Sequence, residues 1–113
     1  MSNFATQAAG VAAYRQRRTP KQSEAEVFAQ ANRAIAAANA GSELDHARAV
    51  ADNRRLWTAV HASVADPSNA LPQELRGQIA GVALVVIREC NNPAPDLAFV
   101  ASINEQFAAG LWS

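Results

Sequence analysis

The chain of 113 residues contains a single cysteine, Cys90, so no internal disulfide can form. That excludes the stapled secreted scaffolds and fits a reducing compartment. One cysteine and two histidines offer no zinc-ligand spacing. His46 and His61 stand fifteen residues apart in one helical segment, about 22 Å at 1.5 Å per residue, so they cannot share an ion. No metal or cofactor is expected. Long apolar runs are also missing. The longest, Ile79 to Ile87, has nine residues and is interrupted only by Gly81, against about 20 for a membrane span. The first residues lack the basic-then-apolar export pattern. The expected location is the cytoplasm.

Net charge is absent as well, with ten basic and ten acidic residues. Phosphate neutralisation supplies most of a nucleic-acid binder's affinity, so such proteins usually carry a basic excess. Neutrality weighs against that class and leaves little repulsion between copies, which keeps self-association open. Catalytic patterns are lacking too. There is no Gly-x-Ser-x-Gly elbow, and no carboxylate pair stands out as acid and base. Cys90 ends an apolar stripe and reads as a small core residue, since a nucleophilic thiol needs a base within reach. The chain is not expected to be an enzyme.

What is present is helix. No stretch alternates apolar and polar residues with β-branched enrichment, while spacings of three and four recur throughout. Half of the residues are hydrophobic, enough for one core in a single domain spanning residues 1–113. Much of that half is alanine, so the core should be thin, with helices close together. A first, looser helix is expected from Phe4 to Arg17, with Phe4, Ala8, Val11 and Tyr14 on one face and Gly10 weakening it by about 1 kcal/mol. Thr19-Pro20-Lys21-Gln22 has the chemistry of a helix start. The second helix continues to Ala40 with Phe28, Ala31, Ile35 and Ala38 as its stripe, and Gly41 ends it.

Ser42 opens the third helix, which reaches Ala65 before Asp66-Pro67. Asp45, Arg48, Asp52 and Arg55 form a solvated ladder of alternating sign on it. Pro72 can start the fourth helix, running to about Cys90 with Leu75, Ile79, Val82, Val86 and Cys90 in line. Leu84, Val85 and Ile87 lie off that line, so this helix is expected to be central or to have two partners. Asp96 caps the last helix, with Leu97, Val100, Ile103, Phe107 and Leu111 on its stripe. The expected fold is all-α: an up-and-down bundle of about four main helices plus a looser N-terminal helix.

Several side chains have two readings. His61 shares a side with Trp57 and reads as a partly buried core histidine. Gly77 and Gly81 mark either a close helix approach or local flexibility. Arg15, Arg17, Arg18 and Lys21 place four of the ten cations within seven residues. They read as a solvated linker, with an RNA- or membrane-touching arm as the alternative. Arg54 falls on the apolar side near Val50, Trp57 and His61. It must snorkel, pair with an acid such as Glu89 or Asp96, or meet a partner. Trp57 reads as core, whereas Trp112 lies off the Phe107–Leu111 direction and can anchor a partner.

The segment Asn53-Arg54-Arg55-Leu56-Trp57-Thr58, followed by Asn69-Ala70-Leu71-Pro72 and Arg76, forms an ordered set with Ile103-Asn104 and Ala109-Gly110-Leu111. With Ala13-Tyr14 ahead of an alanine-rich helix, it resembles the FlaF family of flagellar biosynthesis regulators. The resemblance covers most of the chain and is strongest from Asn53 to Arg76. Glu105 departs from the basic residue usual after Ile-Asn. The resemblance implies a cytoplasmic, non-enzymatic, helical protein that binds flagellin as a secretion chaperone and promotes its synthesis and export. An alternative is a post-transcriptional regulator contacting flagellin messenger RNA, directly or through a FlbT-type partner. The matching positions, and so the candidate partner-binding residues, are Arg54, Arg76, Asn53, Trp57, Asn69, Leu71 and Asn104. Among them Asn69 looks like turn chemistry, Trp57 and Leu71 look like core, and Arg54 and Arg76 are the stronger surface candidates.

Overall fold

A computed structural model of the protein describes residues 20–110, which form four helices joined by short loops. These are α1 (Pro20–Asn39), α2 (Glu43–Ala65), α3 (Gln73–Cys90) and α4 (Leu97–Gly110). The all-α architecture matches the expectation, and each boundary falls within a residue or two of the turn chemistry. The looser helix expected at Phe4–Arg17, the Thr19 cap, Arg15, Arg17, Arg18, Leu111 and Trp112 lie outside the described residues.

The α1–α2 corner shows local chemistry deciding a boundary. Ser42 accepts from the Asp45 backbone N–H at 3.2 Å, and Asp45 Oδ2 accepts from the Ser42 N–H at 3.0 Å. This reciprocal capping box satisfies two N–H groups that the helix cannot bond itself. Gly41 is needed for the turn to be this tight. A Cβ there would stand 2.9 Å from the Ala37 carbonyl oxygen and closer still to the Asp45 carboxylate. Those bonds hold the Asp45 carboxyl below its ordinary range, and bonds from Ser68 do the same for Asp66. Both carboxylates are exposed and therefore modest contributors. A group whose folded pKa is depressed adds stability above its unfolded value, lost as pH falls through the folded one. Acid unfolding should therefore begin below about pH 4, with Asp45→Asn flattening part of the slope. Ser42→Ala should cost about 1 kcal/mol in urea unfolding at neutral pH.

The core draws on all four helices, with Ala83, Val86 and Cys90 as the contribution of α3. Phe28, Ala31, Ile35 and Ala38 are buried as their spacing predicts. The rings of Phe28, Trp57 and Phe107 meet with centroids 5.0–5.6 Å apart in tilted and edge-on pairs, the arrangement favoured by ring quadrupoles. Small Ala31, Ala49 and Ala83 let the helices approach around them. The expected charged ladder is reduced to one exposed ion pair, Arg55–Asp52 at 3.3 Å.

The position of α3 corrects an expectation. It is not central. It packs along α2 and meets α4 only lightly, while α1 lies against α2 and α4. The helices thus form a ring that is nearly open between α3 and α4. The buried face of α3 centres on Ala83, Val86 and Cys90. Val86 and Cys90 are buried as the expected stripe has them and Ile79 packs against the core, but the face is rotated toward Ala83, leaving Leu75 41% and Val82 37% exposed. The apolar surplus of α3 arises because its second partner is missing among the described residues.

Candidate functional site

The motif residues divide according to where the helices carry them. Asn53 on α2 and Asn104 on α4 are each fully buried. Asn104 Oδ1 accepts from the Trp57 indole N–H at 2.7 Å. Its Nδ2 donates to Asn53 Oδ1 at 2.7 Å and to Asn32 Oδ1 at 2.9 Å. Asn53 Nδ2 in turn donates to the Ala49 carbonyl at 2.8 Å, and Asn32 Nδ2 to the Ala101 carbonyl at 3.0 Å. Three helices are therefore pinned in one register by a satisfied polar network within an apolar core, where each bond is strengthened by the low dielectric. Asn53, Trp57 and Asn104 are turned inward and offer no surface to a partner. Asn32 belongs to the same network and was not singled out by the sequence. Asn104 sits midway between Val100 and Phe107, so its place on the apolar stripe was the available signal.

The arginines and the α2–α3 loop serve the helix ends. Arg54 on α2 donates to the Cys90 carbonyl and to Asn91 Oδ1, both at 3.5 Å, at the C-terminus of α3. Arg76 on α3 donates to the Val64 and Asp66 carbonyls, also at 3.5 Å, at the C-terminus of α2. The two antiparallel helices thus exchange arginines, each placing a cation at the negative end of the other's dipole. Glu89 and Asp96 are engaged elsewhere. Glu89 accepts from the Asp96 N–H at 2.9 Å, and Asp96 accepts from the Phe99 N–H at 3.0 Å as the cap of α4. Asn69 accepts from the Leu71 N–H at 2.9 Å and donates to the Ser63 carbonyl at 3.0 Å. It closes the loop as turn chemistry predicts, and Leu71 is half-buried beside it.

Among the described residues, the feature left without a partner is the opening between α3 and α4. Gly77, Gln78, Gly81, Val82, Val85 and Val86 line one side of an apolar groove of about 360 Å³, and Ile103 lines the other. A Cβ on Gly77 or Gly81 would meet nothing within 4 Å. The two glycines are therefore not explained by close approach to another described helix. Their missing side chains instead leave a shallow floor on the groove. Leu84 and Val85 remain 49% and 47% exposed, and Phe99 is exposed on α4. Single exposed apolar side chains are ordinary. Val82 and Val85, 37% and 47% exposed, line one groove together with Ile103, and an apolar surface shared by two neighbouring helices marks an interaction site.

Other candidates carry less. A recess of about 380 Å³ between α1 and α4 is lined by Phe28, Ala29, Asn32, Arg33, Ala36, Asn104, Glu105 and Ala108. Its aromatic wall is already closed against Trp57 and Phe107. Cys90 is buried, and burial pushes its thiol up, away from reactive thiolate character. His46 is exposed and His61 half-buried. Among the described residues no cluster of His, Cys, Asp and Glu can hold a metal ion, and no helix is long and apolar enough to cross a membrane.

Comparison with known proteins gives one match. The family model described as flagellar protein FlaF fits residues 7–111 of the chain. No curated protein matches, and no solved structure does either.

Proposed function

Because this chain belongs to the FlaF family of flagellar proteins, we propose that it is a flagellin-binding secretion chaperone and that the α3–α4 groove is where it holds its client. The groove is the observation that carries this reading. It presents a strip of valines over two glycines, flanked by Ile103, and its apolar lining suits the apolar face of one amphipathic helix. The terminal segments of flagellin are such helices, unpaired before assembly, and need cover on the way to export. Capture in the cytoplasm keeps flagellin competent for export and sustains its synthesis. The chain acts by binding, with no catalytic step, metal or cofactor. A FlbT-type regulator is the proposed second partner, and it engages a surface other than the groove.

Titration calorimetry against purified monomeric flagellin, at low and high salt, tests this reading. One-to-one binding that changes little with salt is the expected result, since apolar burial is not screened. Absence of binding at both salt concentrations would overturn it. Affinity that falls steeply with salt, and is seen instead with flagellin messenger RNA, would point to phosphate contacts and to direct control of translation.

A further inference from the structure

Four of the six exposed large apolar residues among those described, Leu75, Val82, Leu84 and Val85, stand on α3, whose buried side is held by Ala83, Val86 and Cys90. At about 100° per residue, the direction opposite that buried side is that of Gly81. Glu74, Gly77, Val85 and Arg88 all lie within about 40° of it, and all are exposed. Glu74 and Arg88 are the charges of this outer face. Neither has an ion-pair partner among the described residues.

The spacing on this face is symmetric. Glu74 stands seven residues before Gly81 and Arg88 seven after it, while Gly77 stands four before and Val85 four after. A second α3 laid antiparallel, Gly81 against Gly81, therefore brings Glu74 of each copy level with Arg88 of the other. It also sets Leu84 and Val85 of each copy over the space that Gly77 leaves on the other. A Cβ on Gly77 or Gly81 would meet nothing within 4 Å. The packing of the described residues thus requires neither glycine, and both let a second helix come close. Each charge also suits the dipole of its own helix end, but that leaves their equal distances from Gly81 unaccounted for. Antiparallel pairing opposes the two helix dipoles, and a net charge of zero adds no repulsion between copies.

We propose that two copies of the chain associate through the outer faces of α3, antiparallel, about a two-fold axis at Gly81. The contact is isologous, the same patch serving both copies. The eighteen residues of α3 make a strip about 27 Å long and about 10 Å wide, small beside the about 800 Å² that each partner gives to an interface of standard size. The dimer is therefore weak and reversible, with a dissociation constant of about 10–100 μM. Gly77, Gly81 and Val85 also line the groove, so a client seated there would displace the second copy. That consequence rests on the chaperone reading; the pairing itself does not.

Sedimentation equilibrium of the full chain, from about 10 μM to about 1 mM, should show monomer passing to dimer. Glu74→Arg and Arg88→Glu each set like charges against one another at both ends of the contact. Either should raise the dissociation constant about tenfold at low salt. The double swap, Glu74→Arg with Arg88→Glu, restores both pairs and should return the constant to within about twofold of the native value. Circular dichroism should show the same helix content in all of them. A chain that stays monomeric at about 1 mM would overturn the proposal, whatever else covers the face. So would a dimer indifferent to the single swaps, or one that the double swap does not restore, since parallel pairing or another surface would then hold it.

Cross-linking reads the register. With Cys90→Ala removing the native thiol, Gly81→Cys should form a disulfide between copies on mild oxidation, because Gly81 lies on the axis. Gly77→Cys should not, its two copies standing about 12 Å apart along the contact. Cross-linking at Gly77 in preference to Gly81 would overturn the proposal as well. No flagellin enters either measurement, so the pairing and the chaperone reading can fail separately.

Discussion

Replacing Asn104 by alanine should lower the unfolding free energy by about 3 kcal/mol, because one truncation strands two buried groups and one half-buried one. The Trp57 indole N–H loses its acceptor. Asn53 and Asn32 each lose the donor to their side-chain oxygen. An orphaned buried polar group costs about 1–3 kcal/mol, and Asn32, only half-buried, recovers part of this from water. Asn32→Ala should therefore cost less, about 1 kcal/mol, since Asn104 keeps its bonds to Trp57 and Asn53. Urea unfolding followed by circular dichroism reads both variants. The denaturation slope should be unchanged and the midpoint lowered. A loss below 1 kcal/mol for Asn104→Ala would mean that the network does not hold the three helices together.

A second large effect is expected on binding with little on stability. Val85 is half-exposed on the groove wall and supports no core contact of note, so Val85→Glu should change stability by less than about 0.5 kcal/mol. The same change sets a carboxylate where an apolar client face must be desolvated. Flagellin affinity should fall at least about 30-fold, equivalent to about 2 kcal/mol. Leu44→Glu is the control. Leu44 is the most exposed large apolar residue among those described, at 58%, yet it stands on α2 away from the groove, and its substitution should leave affinity unaltered. Equal losses from both variants would mean that general surface hydrophobicity governs capture.

Much of the fold was legible because turn chemistry is local. Pro20, Gly41, Ser42 with Asp45, Pro72 and Asp96 each act within one helical turn, and they bound the four helices. The Phe28–Ala38 stripe was legible for the same reason, since its period is set by one helix alone. The orientation of α3 was not. Its residues are apolar on most sides, so their directions do not say which arc meets α2, and the burial of Ala83 in preference to Val82 follows from how closely α2 can approach. Asn53 and Asn104 were singled out by resemblance, but a polar side chain on an apolar stripe reads equally as a contact or as part of a network. Only the meeting of three helices distinguishes the two. The helix-end bonds of Arg54 and Arg76 were hidden for a related reason. Their partners are backbone carbonyls at the ends of other helices, which leave no mark in the residue pattern.

The central claim is that the client lies between α3 and α4, and an amide chemical-shift map of the isotope-labelled chain, recorded with and without flagellin, tests it most directly. The account predicts perturbations concentrated on Gly77, Gly81, Val82, Val85 and Ile103, with Asn53 and Trp57 largely unmoved. Perturbations concentrated on the exposed faces of α1 and α2, with the groove amides unchanged, would contradict it.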